Sequence, residues 1–380
     1  MSQELERARD NPPPPISRRW GRWIALAACL LAAALLAPHA GTLSLSLSLA
    51  WPAAERWLAL RGSPVVHEEV VLGIAGRNVR ADLYRPPAPR GGIVLVHGLS
   101  SLGRRQPDLA RLARLIAERG QVVVVPHIEG LARFRLDGSE VQEIRAVADY
   151  ARRRWDHVGL AGFSFGAGPV LLAAADVPDL RIVGSFGGYA DLRHVVLFVT
   201  TGVHRWQGQR HVERQEPYNR WKLLSLLAGF VASEPDGVRL QEIAARRLAN
   251  PADDTGPLQA RLEADGRAVL ALVMNDREDA FERLLAALPP AARHALERLS
   301  AVRAVSRIRA PLLIAHGARD PSIPYTESLR LAAGAGQRAR LTVFETFHHT
   351  GPPSEGLSLA AGIADGARLL QLIDGLLSRR

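Results

Sequence analysis

Apolar residues recur along the chain in short, almost unbroken runs of four or five positions. Such runs are typical of strands buried on both faces, as in a parallel β-sheet. A stretch of alternating apolar and polar residues at 65–85 precedes them and predicts a β-hairpin. The predicted buried strands are 93–97, 121–125, 157–161, 182–186, 312–315 and 341–345.

Segments with helical spacing fill most of the gaps between these strands. Apolar residues recur with that spacing at 107–119 and 137–153, and a segment rich in small residues follows at 167–175. Strands that alternate with helices predict an α/β fold, with a mostly parallel central sheet and helices on both faces. We expect this core to comprise residues 65–190 and 310–380.

The region from 191 to 309 interrupts the alternation. It is helical in pattern and carries both aromatic and charged residues. It leaves the sheet after one strand and rejoins it at another, so we expect it above the carboxyl edge, as a helical cap over a substrate pocket. A separate helical docking module is the alternative.

The N-terminal region consists of a charged, proline-rich tail at 1–22 and a segment at 23–54 that has no Asp, Glu, Lys or Arg. The strongly apolar part, 23–37, is short for a span of about 20 residues, so the Leu-Ser alternation after it must contribute. We predict a membrane anchor, with the arginine-bearing tail in the cytoplasm and the large domain on the periplasmic side of a bacterial inner membrane. A cleaved signal peptide, which would release a secreted domain, and a buried N-terminal helix are the alternatives.

Composition narrows the function further. Apolar residues make up 47% of the chain, which is enough for a large core, and the formal net charge is +10. The basic residues are 47 arginines and one lysine, Lys222, out of 48 in all; codon bias explains this usage most simply. They are scattered and accompany no recognition motif, so we predict no nucleic-acid partner. The single cysteine, Cys29, excludes an intrachain disulfide and a cysteine-rich zinc site.

The most informative motif is Gly162-Phe163-Ser164-Phe165-Gly166, which has the form G-x-S-x-G. It stands between a predicted strand and a predicted helix. In that context the motif is a nucleophile elbow, whose sharp turn lifts the serine hydroxyl above the carboxyl end of the sheet. The alternative is a glycine-rich turn whose serine only caps a helix.

A serine nucleophile needs a base that takes its proton and a carboxylate that orients the base. In this fold they follow the serine in the order acid, then histidine. We predict Asp320 as the acid, with Asp191 as the reserve candidate. The base is His349 or His348, and the distance from the last strand favours His349. Adjacent histidines diverge and no third ligand stands nearby, so we predict neither a metal nor a cofactor.

Two backbone N–H groups should stabilise the oxyanion that forms during acyl transfer. We predict the amides of Leu99, just after the first central strand, and of Phe165, next to the nucleophile. His97 belongs to the same strand end, and we assign it a structural role rather than that of a general base.

With these residues assembled, the chain resembles the α/β-hydrolase superfamily over residues 65–380. Within it, the chain is similar to bacterial dienelactone-hydrolase-related and acyl-peptidase-like members. The residues that carry the resemblance are His97-Gly98, the motif at 162–166, His316-Gly-Ala-Arg-Asp320 with Ile323-Pro324, and His349. Dienelactone hydrolases have a cysteine where this chain has Ser164, so the resemblance implies the fold and the triad but not that substrate.

The predicted function is that of a serine hydrolase that cleaves an ester or a related acyl bond of a small-molecule substrate through an acyl-enzyme. An acyltransferase would use the same residues. A non-catalytic binding protein on this fold is the third possibility, since fold alone does not determine function.

Overall fold

A computed structural model describes residues 39–51, 53, 55–58, 63–74, 76–346 and 359–377. In the described part of the chain, the strands are β1 (Val66–Ile74), β2 (Arg77–Arg85), β3 (Gly91–Val96), β4 (Gln121–Pro126), β5 (Gly159–Phe163), β6 (Ile182–Phe186), β7 (Val203–Trp206), β8 (Gln209–Val212), β9 (Leu312–Gly317) and β10 (Ala339–Phe344).

The helices in the described residues alternate with most of these strands. They are α1 (Ala40–Ala50), α2 (Glu55–Leu58), α3 (Pro107–Ala117), α4 (Glu129–Ala132), α5 (Ser139–Arg152), α6 (Ala167–Ala174), α7 (Leu192–Thr201), α8 (Pro217–Ala228), α9 (Glu234–Ala249), α10 (Gly256–Gln259), α11 (Ala264–Met274), α12 (Glu278–Ala286), α13 (Pro290–Arg298), α14 (Val302–Val305), α15 (Thr326–Ala335) and α16 (Leu359–Leu377).

The central sheet has eight strands in the order β1-β2-β4-β3-β5-β6-β9-β10. β1 and β2 form the predicted antiparallel hairpin, and β2 pairs antiparallel with β4. From β4 to β10 all neighbours are parallel, so their carboxyl ends share one edge. The prediction of an α/β-hydrolase fold with a mostly parallel sheet is confirmed.

Alternating side chains of the central strands pack on opposite faces of the sheet, because successive residues of a strand point to opposite sides. On β3, Val94 and Val96 join the core under α5 and α6. Ile93 and Leu95 join the core under α3 and α16. Helices therefore cover both faces, which explains why these strands are apolar almost throughout.

Between β6 and β9 the chain forms α7 to α14 and a two-stranded hairpin of β7 and β8. The helices agree with the pattern of 191–309, whereas the sequence did not predict the hairpin. Its strands have only four residues each and carry mostly polar side chains, so they lack the apolar run by which the core strands are recognised.

Helix α1 belongs to the segment predicted as a membrane anchor, and in the structure it contacts the large domain. Leu45 of α1 is fully buried in the core formed with α3 and α16. Arg111 of α3 donates to the carbonyl of Ser48 at 2.6 Å. Residues 40–50 thus pack on the domain.

Among the described residues, no helix is both long enough and apolar enough to cross a membrane. The run 23–37, on which the anchor prediction mainly depends, lies outside the described residues. Its role as an anchor stays a prediction.

Candidate active site

Ser164 stands directly after β5, where the strand turns into a helix. Its backbone has a φ of 51°, in the left-handed region that side chains other than glycine rarely adopt. A single turn of 3-10 helix, Ser164–Gly166, leads from it into α6. Strained backbone conformations of this kind cluster at active sites, where the surrounding structure holds them in place.

The two glycines of the motif are required by close backbone contacts. A Cβ on Gly162 would lie 2.6 Å from the carbonyl oxygen of Gly166, and a Cβ on Gly166 would lie 2.1 Å from the carbonyl oxygen of His97. Both distances are far below van der Waals contact with backbone atoms that cannot move aside. The strand, the turn and the helix can approach this closely only with glycine at both positions.

The predicted oxyanion residues lie next to Ser164. β3 pairs with β5 so that Val96 stands opposite Gly162, and both strands end at the same edge. A Cβ on Gly98 would lie 2.8 Å from Ser164 Cβ and 3.4 Å from its Oγ, so the chain that leads into Leu99 touches the nucleophile. Phe165 opens the helical turn, where backbone N–H groups have no partner within the helix.

The His97 side chain stabilises the turn after β3 through hydrogen bonds. Its Nδ1–H donates to the carbonyl of Gly98 at 2.8 Å, and its Nε2 accepts from the amide of Ile128 at 3.1 Å. Both ring nitrogens are therefore used in the neutral imidazole. Burial lowers the pKa of His97 to about 4, with the Gly98 hydrogen bond opposing and His127 reinforcing the shift. These contacts agree with the structural role expected for His97.

The acid candidate Asp320 follows β9 at the same edge and is almost completely buried. Its Oδ1 accepts from the amides of Ser322 at 2.8 Å and Ile323 at 3.0 Å. Two charge-assisted hydrogen bonds from backbone amides fix a carboxylate in one orientation. Sheet order puts β6 between β5 and β9, so Ser164 and Asp320 follow strands about 10 Å apart.

His316 supports the turn that carries Asp320. Its Nε2–H donates to the carbonyl of Ile323 at 2.9 Å and lies 3.4 Å from Asp320 Oδ2. Its Nδ1 accepts from the Ser328 hydroxyl at 2.6 Å. The position of His316 at the end of an apolar strand, four residues before the acid, is the sequence signal for this supporting role.

The reserve acid Asp191 has a different task. Its side chain accepts from the amide of Arg193 at 2.8 Å, which makes it the N-cap of α7. The Ser300 hydroxyl also lies 3.3 Å from the same carboxylate. Since capping and this contact account for Asp191, Asp320 is the better placed of the two acids.

Both candidate bases, His348 and His349, lie outside the described residues. The described chain reaches the carboxyl edge at the end of β10, where Phe344 pairs with Gly317 of β9. Thr346 is then held by Asp365 of α16, which accepts from its amide at 2.8 Å and from its hydroxyl at 2.7 Å. The structure thus brings together Ser164, Leu99 and Phe165, and it puts Asp320 on the same edge.

A second contribution that the sequence did not reveal comes from α8. Asn219 Nδ2 donates to the carbonyl of Pro321 at 3.0 Å and to the hydroxyl of Ser322 at 3.1 Å. This helix of the insertion is therefore fastened to the turn that carries Asp320. No motif marks Asn219, because its role depends on the contact between α8 and the turn at 320–322.

Solved structures that are similar to this chain include two peptidases and a dienelactone hydrolase. The chain is similar to a puromycin-hydrolyzing peptidase from Mycobacterium tuberculosis (17% identity, 83% of this chain and 40% of that chain, TM-score 0.46). It is also similar to an acylaminoacyl peptidase from Pyrococcus horikoshii (14%, 78% and 39%, TM-score 0.45) and to a dienelactone hydrolase from Anabaena variabilis (14%, 81% and 96%, TM-score 0.43). The chain spans about two fifths of the length of the first two proteins. No curated protein matches the chain in sequence.

A family model gives the more specific result. The model for the X-Pro dipeptidyl-peptidase family, S15, matches residues 76–350, which include Ser164, Asp320 and both candidate histidines. The resemblance to the α/β-hydrolase superfamily is confirmed, and the family that matches is a peptidase family rather than that of the dienelactone hydrolases. Since the match covers well over half of the sequence, the chain belongs to the X-Pro dipeptidyl-peptidase (S15) family.

Proposed function

We propose that the protein is a serine hydrolase that cleaves acyl bonds through an acyl-enzyme on Ser164. Ser164 Oγ attacks the acyl carbon while His349 takes its proton, and Asp320 orients the imidazole. The amides of Leu99 and Phe165 stabilise the oxyanion. The histidine returns the proton to the leaving group, and water then releases the acyl group by the same steps.

The observation that carries this proposal is the backbone of Ser164. A serine that merely capped a helix would not require a left-handed φ of 51° or glycines with 2.1 Å and 2.6 Å contacts on both sides. This geometry costs about 1–3 kcal/mol per strained residue. Its purpose is to expose one hydroxyl at the sheet edge, next to the Gly98-Leu99 turn.

We propose a peptide or an ester bond as the scissile bond. Membership of the S15 family favours peptides, and the same triad geometry serves esters, in which the leaving group is better. Turnover of an X-Pro dipeptide anilide and of a p-nitrophenyl ester by the same preparation distinguishes the two. A rate on the anilide that depends on Ser164 assigns a peptidase, whereas a rate on the ester alone assigns an esterase.

The test of the nucleophile is labelling of the full chain with a fluorophosphonate. We expect labelling of the parent and its complete loss in Ser164→Ala. Ser185→Ala is the matched control: this buried serine lies opposite Gly162 on β6, so its loss should leave labelling intact. His348→Ala and His349→Ala identify the base. We expect labelling to be lost in only one of these two variants, the one that lacks the base. A folded parent that is not labelled contradicts the proposal.

A further inference from the structure

The chain's only lysine lies in the insertion, on a helix that contacts the active-site turn. Lys222 is half-buried on α8, one helical turn beyond Tyr218. Its ammonium is 4.5 Å from the centre of the Tyr218 ring and 5.7 Å from that of Phe134. Cation–π contacts of this kind are attractive, but they leave the N–H donors of the ammonium free to bind an anion.

Among the residues that the structure describes, no carboxylate lies within 4.0 Å of the Lys222 ammonium. Burial lowers the pKa of Lys222, and burial is the sole cause of the shift. A half-buried cation without a counterion is costly, because water no longer solvates it fully and no opposite charge replaces the water.

The two aromatic neighbours of Lys222 place it at the carboxyl edge of the sheet, the edge at which Ser164 also lies. Phe134 follows β4 and α4 at the carboxyl edge, and it is a further non-glycine residue with positive φ, 55°. Tyr218 lies next to Asn219, which is bonded to the Asp320 turn after β9. In the sheet, β3, β5 and β6 lie between β4 and β9. A side chain that contacts both rings therefore lies on the same edge of the sheet as Ser164, which follows β5.

We propose that Lys222 is a specificity residue that binds a carboxylate on the substrate, at the end of the substrate remote from the scissile bond. The proposal rests on the proposed function of Ser164. The rings of Phe134 and Tyr218 would contact the apolar chain of the substrate, and the ammonium would pair with its terminal charge. At a half-buried position, this pairing is stronger than at an exposed surface.

A pair of isosteric esters tests the proposal in the full chain. The mono-p-nitrophenyl ester of adipic acid differs from p-nitrophenyl hexanoate by a terminal carboxylate in place of a methyl group. We expect Lys222→Met to raise the KM for the adipate ester about tenfold or more, which is the scale of a charge-assisted contact, and to leave that for the hexanoate ester nearly unchanged. Lys222→Arg, which keeps the charge, should retain most of the preference. Equal effects of Lys222→Met on both esters would overturn the proposal.

A binding measurement keeps this test separate from that of the nucleophile. Because the chain has one lysine, reductive methylation with ¹³C-formaldehyde gives a single lysine signal in the NMR spectrum. In Ser164→Ala, monomethyl adipate should shift this signal and methyl hexanoate should not. If neither ligand shifts it, the proposal fails while fluorophosphonate labelling of the parent still tests Ser164 independently.

Discussion

At the scale of single residues, His97 is the clearest case in which burial decides a protonation state. Its pKa of about 4 lies below the ordinary value of 6.5. The unfolded chain therefore binds a proton more readily than the folded chain. The stability that neutral His97 provides is complete above about pH 6.5, declines as the pH falls towards 4, and is constant below that.

His97→Gln tests this account, because a glutamine amide offers one donor and one acceptor but does not titrate. Between pH 7 and pH 5 the parent should lose about 2 kcal/mol more free energy of unfolding than the variant. Urea unfolding at the two pH values measures the difference. An identical loss in both proteins would mean that another group accounts for the acid sensitivity.

The residues of the site differ in how visible they are in the sequence. Ser164 is predictable because the close backbone contacts around its left-handed turn require glycine at 162 and 166, and these glycines form a recognisable sequence motif. Asp320 is predictable from its place after a buried strand. Asn219 and Lys222 are not, because their positions depend on the fold of the insertion. The composition shows that lysine is rare, but only the rings around Lys222 in the structure suggest a role for it.

At the scale of elements, the Asp365 carboxylate of α16 holds Thr346, the last described residue of the segment that follows β10. Asp365 accepts two hydrogen bonds from Thr346 and one from Arg368 at 2.7 Å. Burial alone would raise the pKa of Asp365, but these hydrogen bonds outweigh it and hold the pKa below its ordinary value. The fastening matters because His348 and His349 follow Thr346 by two and three residues.

We expect Asp365→Ala to lower the free energy of unfolding by about 2 kcal/mol at pH 7, the scale of hydrogen bonds to a buried charge, and to slow labelling of Ser164. Since the folded pKa is depressed, the stabilisation is present above about pH 4 and disappears as the pH falls through the folded value. Thermal unfolding at pH 7 and at lower pH measures this. The difference in melting temperature between the parent and Asp365→Ala should become smaller as the pH falls.

Asp374 on the same helix is the matched control. Its carboxylate is half exposed and pairs with His39 at 3.3 Å. Exposed pairs contribute about 0–1 kcal/mol, so Asp374→Ala should change little. Equal losses in the free energy of unfolding for Asp365→Ala and Asp374→Ala would show that the contact between Asp365 and Thr346 does not stabilise the fold.

At the scale of the whole molecule, the parallel core follows from the sequence because each central strand is apolar on both sides. β7 and β8 were missed because four-residue strands with polar side chains give no such signal. The segment 40–50, which the sequence assigned to a membrane anchor, packs against α3 and α16 in the structure. A stretch without charges is compatible with a lipid environment and with a protein surface alike, and only the apolar surface of α3 and α16 decides between them.

Substitutions of Leu45 and Leu47 in the full chain test whether residues 40–50 pack on the domain, because the two leucines lie on one helix in different surroundings. Leu45 is completely buried in the core formed with α3 and α16, whereas Leu47 is 48% exposed. Leu45→Ala should lower the free energy of unfolding by about 2–4 kcal/mol, as a cavity in a packed core does, and Leu47→Ala by less than about 0.5 kcal/mol. Urea unfolding in detergent solution measures both. Small and equal losses would mean that 40–50 does not pack on the domain, which would return this segment to the membrane anchor that its lack of charge first indicated.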